Sequence, residues 1–214
     1  MRRIDAIALR ITNLAHSVES LPADEKVALA ELEAALMPLS RDIVCLVLIV
    51  PFLQPIPVWG VSSFLGLAVA LLHIQVVLKG EAAAFPSRIQ RFTVTAKHLL
   101  MMLHGAQRIL KILAKAPEFK GPVFASLAQA RIVSVQITFL GLLLMLPLPV
   151  PASNMIPALG ILFFVVGILA ENILFLLAGY LSFILNIIFF GALAIFPVVI
   201  ANWFGWRCSW VVFE

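Results

Sequence analysis

From Ile132 to Trp206 the chain carries a single charged side chain, Glu171. A stretch that long and that bare cannot cover itself in water, because too little polar surface is available to face the solvent. In lipid the backbone need only satisfy its own hydrogen bonds, and helices do that. Across the whole chain 63% of residues are hydrophobic and 12% charged, against roughly half and a quarter in soluble domains. The expected class is an all-α integral membrane protein.

The remaining charges are segregated. Residues 1–42 carry five basic and seven acidic side chains, and residues 79–131 carry nine basic and two acidic. The positive excess therefore lies between two apolar blocks, and the positive-inside rule puts that segment in the cytoplasm. Its location between spans argues for topology, and nucleic acid is not an expected partner. Met1–Glu19 alternates polar and apolar residues, so no signal-peptide core is expected there. Cys45 and Cys208 form no close pair and no metal spacing.

Five segments follow. Residues 1–42 read as two amphipathic helices, cytoplasmic or interfacial, broken at Leu21-Pro22-Ala23-Asp24, with Asp24 placed to cap the second. Residues 43–78 form an apolar block interrupted by Pro51, Pro55 and Pro57. Ile43–Leu53 before the break gives only about 17 Å of helix, short of the roughly 20 residues a crossing takes. In residues 79–131, Lys97, His104, Arg108, Lys111 and Lys115 share one helical face, opposite Leu99, Leu103, Ala106, Leu110 and Leu113. Such a basic helix either lies among anionic lipid headgroups or docks on the bundle; both readings stay open. Residues 132–172 hold a second apolar run broken by Pro147, Pro149, Pro151 and Pro157. Residues 173–214 give a C-terminal transmembrane helix, with Trp203, Trp206 and Trp210 as an interfacial belt.

The two proline breaks superimpose. Pro55-Ile-Pro57-x2-Gly60-x5-Gly66 matches Pro149-Val-Pro151-x2-Asn154-x5-Gly160 at constant offset, and each unit begins just after a basic residue, Arg41 or Arg131. Gly60 and Asn154 are the residue types that most readily take a left-handed turn. The expected unit is helix, irregular Pro turn, helix, with the turn either re-entrant or at the far surface. Paired broken helices in two halves of a chain point to a transporter site. Candidate substrate-binding residues around the breaks are Gln54, Gly60, Ser62, Ser63, Gln75, Ser153 and Asn154; Pro55, Pro57, Pro149, Pro151 and Pro157 shape the turns. The plain alternative is that these polar groups only join helices by hydrogen bonds. Glu171, a lone carboxylate in an apolar half, is either an ion or proton relay or part of a wet turn beside Asn172.

The stretch Pro51-Phe-Leu-Gln-Pro-Ile-Pro-Val-Trp-Gly60-Val-Ser-Ser-Phe-Leu-Gly66, with Gln75 and Lys79-Gly80, resembles the first motif of the exopolysaccharide synthesis ExoD family. Leu146-Pro-Leu-Pro-Val-Pro151-Ala-Ser-Asn154-Met-Ile-Pro157-Ala-Leu resembles its second, and the likeness covers roughly residues 25–200. Two departures stand out. Ala84-Phe85-Pro86 replaces a Trp-containing turn, and Glu171-Asn172-Ile173 lacks the Gly of an acidic-Gly pair. The resemblance implies a multi-pass protein of the bacterial inner (cytoplasmic) membrane associated with surface polysaccharide.

No Gly-rich phosphate loop, nucleophile elbow or metal-spaced cluster is present in the sequence, so neither enzymatic activity nor a cofactor or metal is expected. The expected role is transporter-like or precursor-handling, with a non-transporting scaffold or regulator of synthesis enzymes as the alternative. Expected partners are the bilayer, anionic headgroups at the basic helix, a polysaccharide precursor or the synthesis enzymes, and a second copy of the chain.

Overall fold

The computed structural model describes residues 3–36, 41–53, 62–79, 90–115, 119, 121–146 and 153–203. They are helical apart from one two-stranded ribbon. The elements run α1 (Arg3–Glu19), β1 (Lys26–Ala28), α2 (Leu29–Leu36), α3 (Arg41–Ile49), a 3-10 turn (Val50–Leu53), α4 (Ser62–Lys79), β2 (Thr93–Thr95), α5 (Ala96–Leu113), α6 (Phe124–Leu127), α7 (Ala130–Leu144), α8 (Met155–Leu169) and α9 (Ile173–Trp203).

The innermost element is α3. Every residue from Ile43 to Ile49 is fully buried, as a helix apolar on all sides requires. It is walled by α4, α5 and α8. Pro51 brings no N–H to continue the ladder, and the α-helix gives way to the 3-10 turn at Val50.

Around α3, helices α4, α7 and α8 complete a ring in which α3 touches α4, α4 touches α7, α7 touches α8 and α8 touches α3. α4 and α7 run antiparallel. Ser63 on α4 meets Met145 just past the end of α7, and ten residues further along α4 His73 meets Ser134 near the start of α7. The crossing is tight because it is made of small residues. A Cβ at Gly66 would lie 2.9 Å from the Gly141 carbonyl oxygen, and one at Gly141 would lie 2.9 Å from the Ala70 nitrogen. This is the small-residue packing that lets membrane helices approach backbone to backbone.

The N-terminal region departs from the expected second amphipathic helix capped by Asp24. Lys26–Ala28 are extended and pair antiparallel with Thr93–Thr95, Val27 opposite Val94, and α2 starts at Leu29. Val27, Val94 and the two threonines are β-branched and favour this ribbon. The ribbon has a local twofold. Leu29 N–H donates to Phe92 O at 2.8 Å, and Ala96 N–H donates to Glu25 O at 2.8 Å. Each strand runs directly into a helix, α2 or α5.

α5 carries the basic face. Leu99, Leu103, Ala106, Leu110 and Leu113 are buried, as its periodicity predicts, together with Met102. Lys97, His104, Arg108, Lys111 and Lys115 point outward. Its apolar side packs on α1 and the 3-10 turn, where a Cβ at Gly105 would collide with Val50 Cγ1. Protein therefore covers the apolar face of α5 and leaves its basic face exposed.

α8 and α9 form a hairpin. α9 extends over 31 residues, about 46 Å, and realises the run Ile173–Ala201 as one helix. Its apolar stretch Ile173–Ile195 is long enough to cross a membrane, yet only 28% of that window is buried. Leu174, Leu177, Leu181, Ile184, Leu185, Ile188 and Ile195 face outward. A core helix of a water-soluble fold would hide these side chains. The side chain of Trp203 and all of Trp206, Trp210 and Cys208 lie outside the described residues.

Candidate polar sites in the bundle

Two polar layers stand at opposite ends of the four-helix ring. The first is at the end where α4 and α8 begin and α7 stops. Ser63 Oγ–H donates to the Met145 carbonyl at 3.2 Å, an acceptor left open at the C-terminus of α7. Ser153 is buried, 4% exposed. Asn154 begins α8 at φ −75° and ψ −23° without a side-chain cap. The left-handed turn expected at Asn154 is therefore absent. Its backbone is already helical, and its carbonyl accepts the Ala158 N–H at 3.2 Å. Pro157 sits in the first turn of α8, where a missing N–H is tolerated. Gln54, Pro55, Pro57, Gly60, Pro149 and Pro151, with Gly80 and Ala84-Phe85-Pro86, lie outside the described residues; Ser62 is described in backbone only.

A residue the sequence reading passed over belongs to this layer. Asn186 on α9 is fully buried and donates from Nδ2 to Ile156 O at 3.3 Å and to Ser182 O at 2.8 Å. It lies across from Gly160, whose Cβ would sit 3.1 Å from Ser182 Oγ and 3.5 Å from Asn186 Nδ2. Gly160 thus faces α7 and α9, whereas the three atoms nearest a Cβ at its sequence counterpart Gly66 all belong to α7. A lone amide inside Ile173–Ala201 was the available signal.

The second layer is nearer the basic segment. His73 is 1% exposed. Its Nδ1 lies 3.3 Å from Ser134 Oγ, and its Nε2 is buried without a partner. Thr138 Oγ1 donates to Ser134 O at 2.7 Å, tying the serine's turn of helix together. Arg41 Nε lies 3.5 Å from Asp42 Oδ1 at the start of α3. Gln75, half-buried, is two residues beyond His73 on α4. It therefore stands about 18 Å along the helix from Ser63, with this layer and apart from the turns. His73 and Asp42 were also passed over, although a lone imidazole in Gly60–Leu78 carries the same signal as Glu171.

Glu171 lies at the corner between α8 and α9, at the end away from the Pro turns. Its φ of 49° is left-handed. Asn172 N–H donates to Gly167 O at 3.0 Å and Glu171 N–H to Ile168 O at 3.3 Å, the pairing of a Schellman close. Asn172 Oδ1 then accepts the Leu174 N–H at 2.9 Å and caps α9. The tight turn is thus made without the glycine. The corner packs on the basic segment: Ile173 N–H donates to Phe119 O at 2.9 Å, and Tyr180 Oη–H to Leu127 O at 2.9 Å.

Among the described residues no group of three or more His, Cys, Asp or Glu side chains could hold a metal ion. The family described as exopolysaccharide synthesis, ExoD, matches residues 11–192. Protein ExoD of Rhizobium meliloti (strain 1021) is 28% identical over 157 residues, 71% of this chain and 63% of that protein. The alignment thus spans less than two thirds of the relative's length. No solved structure matches the chain.

Proposed function

The chain belongs to the ExoD family, and from that premise we propose that it is a multi-pass bacterial inner-membrane protein that handles a precursor of exopolysaccharide synthesis in a transporter-like way, without catalysing a reaction. Its two Pro turns are re-entrant and face one polar cavity at membrane depth. One observation carries this reading. Asn186 binds the first turn of α8 only 13 residues into α9, about 20 Å along it. The apolar helix then runs on for about another 25 Å past the level of the turn. If α9 spans the bilayer, the second Pro turn lies inside it. Ser63 at the start of α4 bonds to Met145 just past the end of α7, which supports a common level for the two turns.

Lengths agree with this. α7 and α8 are 15 residues each, about 22 Å, against a hydrocarbon core of roughly 30 Å. The closed ring and the twofold ribbon are what a duplicated unit with parallel orientation would produce, each copy a strand, a helix, and a Pro-broken hairpin. Irregular backbone at that depth survives where it lines a cavity. Asn154→Ala and Ser153→Ala together should abolish exopolysaccharide output while the protein still inserts; normal output from the double variant contradicts the reading.

One observation favours the scaffold alternative. α5 presents Lys97, His104, Arg108 and Lys111 outward, with Lys115 exposed in the turn after it, while its apolar face is covered. That face suits synthesis enzymes or anionic headgroups. Under the scaffold reading, its charge reversal abolishes output and turn variants do not.

A further inference from the structure

We infer that the outer surface of the α4–α7 pair seats an anionic, phosphate-headed membrane lipid, with Arg131 and Lys79 at its head and the exposed apolar face of α7 along its chain. The inference rests on the membrane-spanning part of the reading above and is independent of whether the Pro turns line a cavity.

The two cations stand at one end of two adjacent helices. α4 and α7 run antiparallel and meet at His73 and Ser134. Lys79 ends α4 six residues beyond His73, and Arg131 lies three residues before Ser134. They are thus about 9 Å and about 5 Å further toward the basic segment. Both are exposed, and neither joins an ion pair among the described residues; Arg41, at the start of neighbouring α3, is already held by Asp42 at 3.5 Å. Arg131 sits in the first turn of α7, where the positive end of the helix opposes a cation. A bound anion relieves that opposition. The guanidinium offers paired donors to phosphate oxygens, and the Lys79 ammonium adds a mobile point charge.

What lies inward of the cations selects the kind of anion. Val135 and Leu142 stand four and eleven residues beyond Arg131, on the same side of α7. They are 50% and 48% exposed, and Leu78, beside Lys79, is 74% exposed. A soluble phosphate or an acidic protein surface would answer the charges and leave these side chains uncovered. A lipid answers both, head to the cations and chain over the apolar face. From Arg131 to Leu142 is about 16 Å of helix, one leaflet's share of a hydrocarbon core of roughly 30 Å. The backbone contact at Gly66 and Gly141 fixes α4 against α7, so the head and chain positions keep a set spacing.

The full chain, purified in micelles holding equal phosphatidylglycerol and phosphatidylcholine, would be examined by native mass spectrometry. It should retain phosphatidylglycerol in preference, by about tenfold or more. Arg131→Gln with Lys79→Gln should remove that preference, and Arg131→Lys should keep part of it. Arg108→Gln with Lys111→Gln deletes the same charge from the exposed face of α5 and should change nothing. Equal retention of the two lipids overturns the inference, as does an equal loss from both double variants, which would mean that bulk charge alone attracts the lipid. Displacement by millimolar inorganic phosphate would make the cations a free-anion site and also overturns it. Melting temperatures check that each variant is folded, and Arg131→Lys carries the test if the Gln variants are not. Selective retention combined with normal output from the Ser153 and Asn154 variants upholds the lipid seat and removes the transporter-like reading instead.

Discussion

Asn186 Nδ2 donates to the carbonyl of Ile156 at 3.3 Å and thereby ties the first turn of α8 to a point less than halfway along α9. Ser182 O, at 2.8 Å, holds the same amide from within α9. Asn186→Ala removes both bonds. Interhelical hydrogen bonds in membranes are worth about 0.6 kcal/mol and up to about 1.7, so a loss in that range is expected. Unfolding of the variant in detergent measures it, and an unchanged stability would show that the pin holds nothing.

The crossing of α4 and α7 is more sensitive. A Cβ at Gly141 would meet the Ala70 backbone nitrogen and the Gly66 carbonyl, 2.9 and 3.1 Å away. Backbone cannot swing aside as a flexible side chain can. Gly141→Leu should separate the helices and cost more than about 3 kcal/mol, with Gly141→Ala costing about 1 to 3. Loss of folded protein on expression and a lower melting temperature are the readouts.

Glu171 predicts the opposite sign. A non-glycine residue in the left-handed region carries about 1–2 kcal/mol of strain, while glycine gives back about 0.5–1 kcal/mol through the freer unfolded chain. The backbone contribution of Glu171→Gly is therefore a gain of up to about 1.5 kcal/mol, and that of Glu171→Val a loss; melting temperatures of the two variants set that contribution against the loss of the carboxylate. A fall in melting temperature for Glu171→Gly would mean that the carboxylate's own interactions outweigh the relief of strain.

These three sites show what could be read from residues alone. The helical class and the long C-terminal apolar helix follow from composition and run length, and the two faces of α5 from periodicity; all of these are local properties. The ribbon escaped because three-residue strands have too short a period to register, and Val27 pairs with Val94 across 66 intervening residues. Asn154 was expected to be left-handed on its residue type, but it starts a helix; the left-handed position fell instead on Glu171, a residue with no such preference. The candidate residues clustered in sequence around the prolines, and the fold divides them: Ser63, Ser153 and Asn154 stand at the turn end while Gln75 stands with His73. His73 and Asn186 were visible as lone polar residues in apolar runs, but a lone polar residue does not say which neighbouring helix it will face.

Reversal of the basic face separates the two functional readings. Lys97, Arg108 and Lys111 are exposed on a helix whose apolar side is covered by α1 and the 3-10 turn. Changing all three to Glu should shift stability by no more than about 0.5 kcal/mol per site. Exopolysaccharide output should persist under the transporter-like reading. Abolished output with intact folding favours the scaffold.

The central claim is that the Pro turns open into water at membrane depth, and single-cysteine labelling tests it most directly. Cysteines at Ser63, Ser153 and the outward-facing Ile195, each alone in a chain lacking Cys45 and Cys208, would be exposed to small membrane-impermeant thiol reagents from each side. Ser63→Cys and Ser153→Cys should react from the same side, through a cavity, while Ile195→Cys stays silent in lipid. Free reaction of Ile195→Cys together with both turn positions would place the turns at the membrane surface and contradict the account.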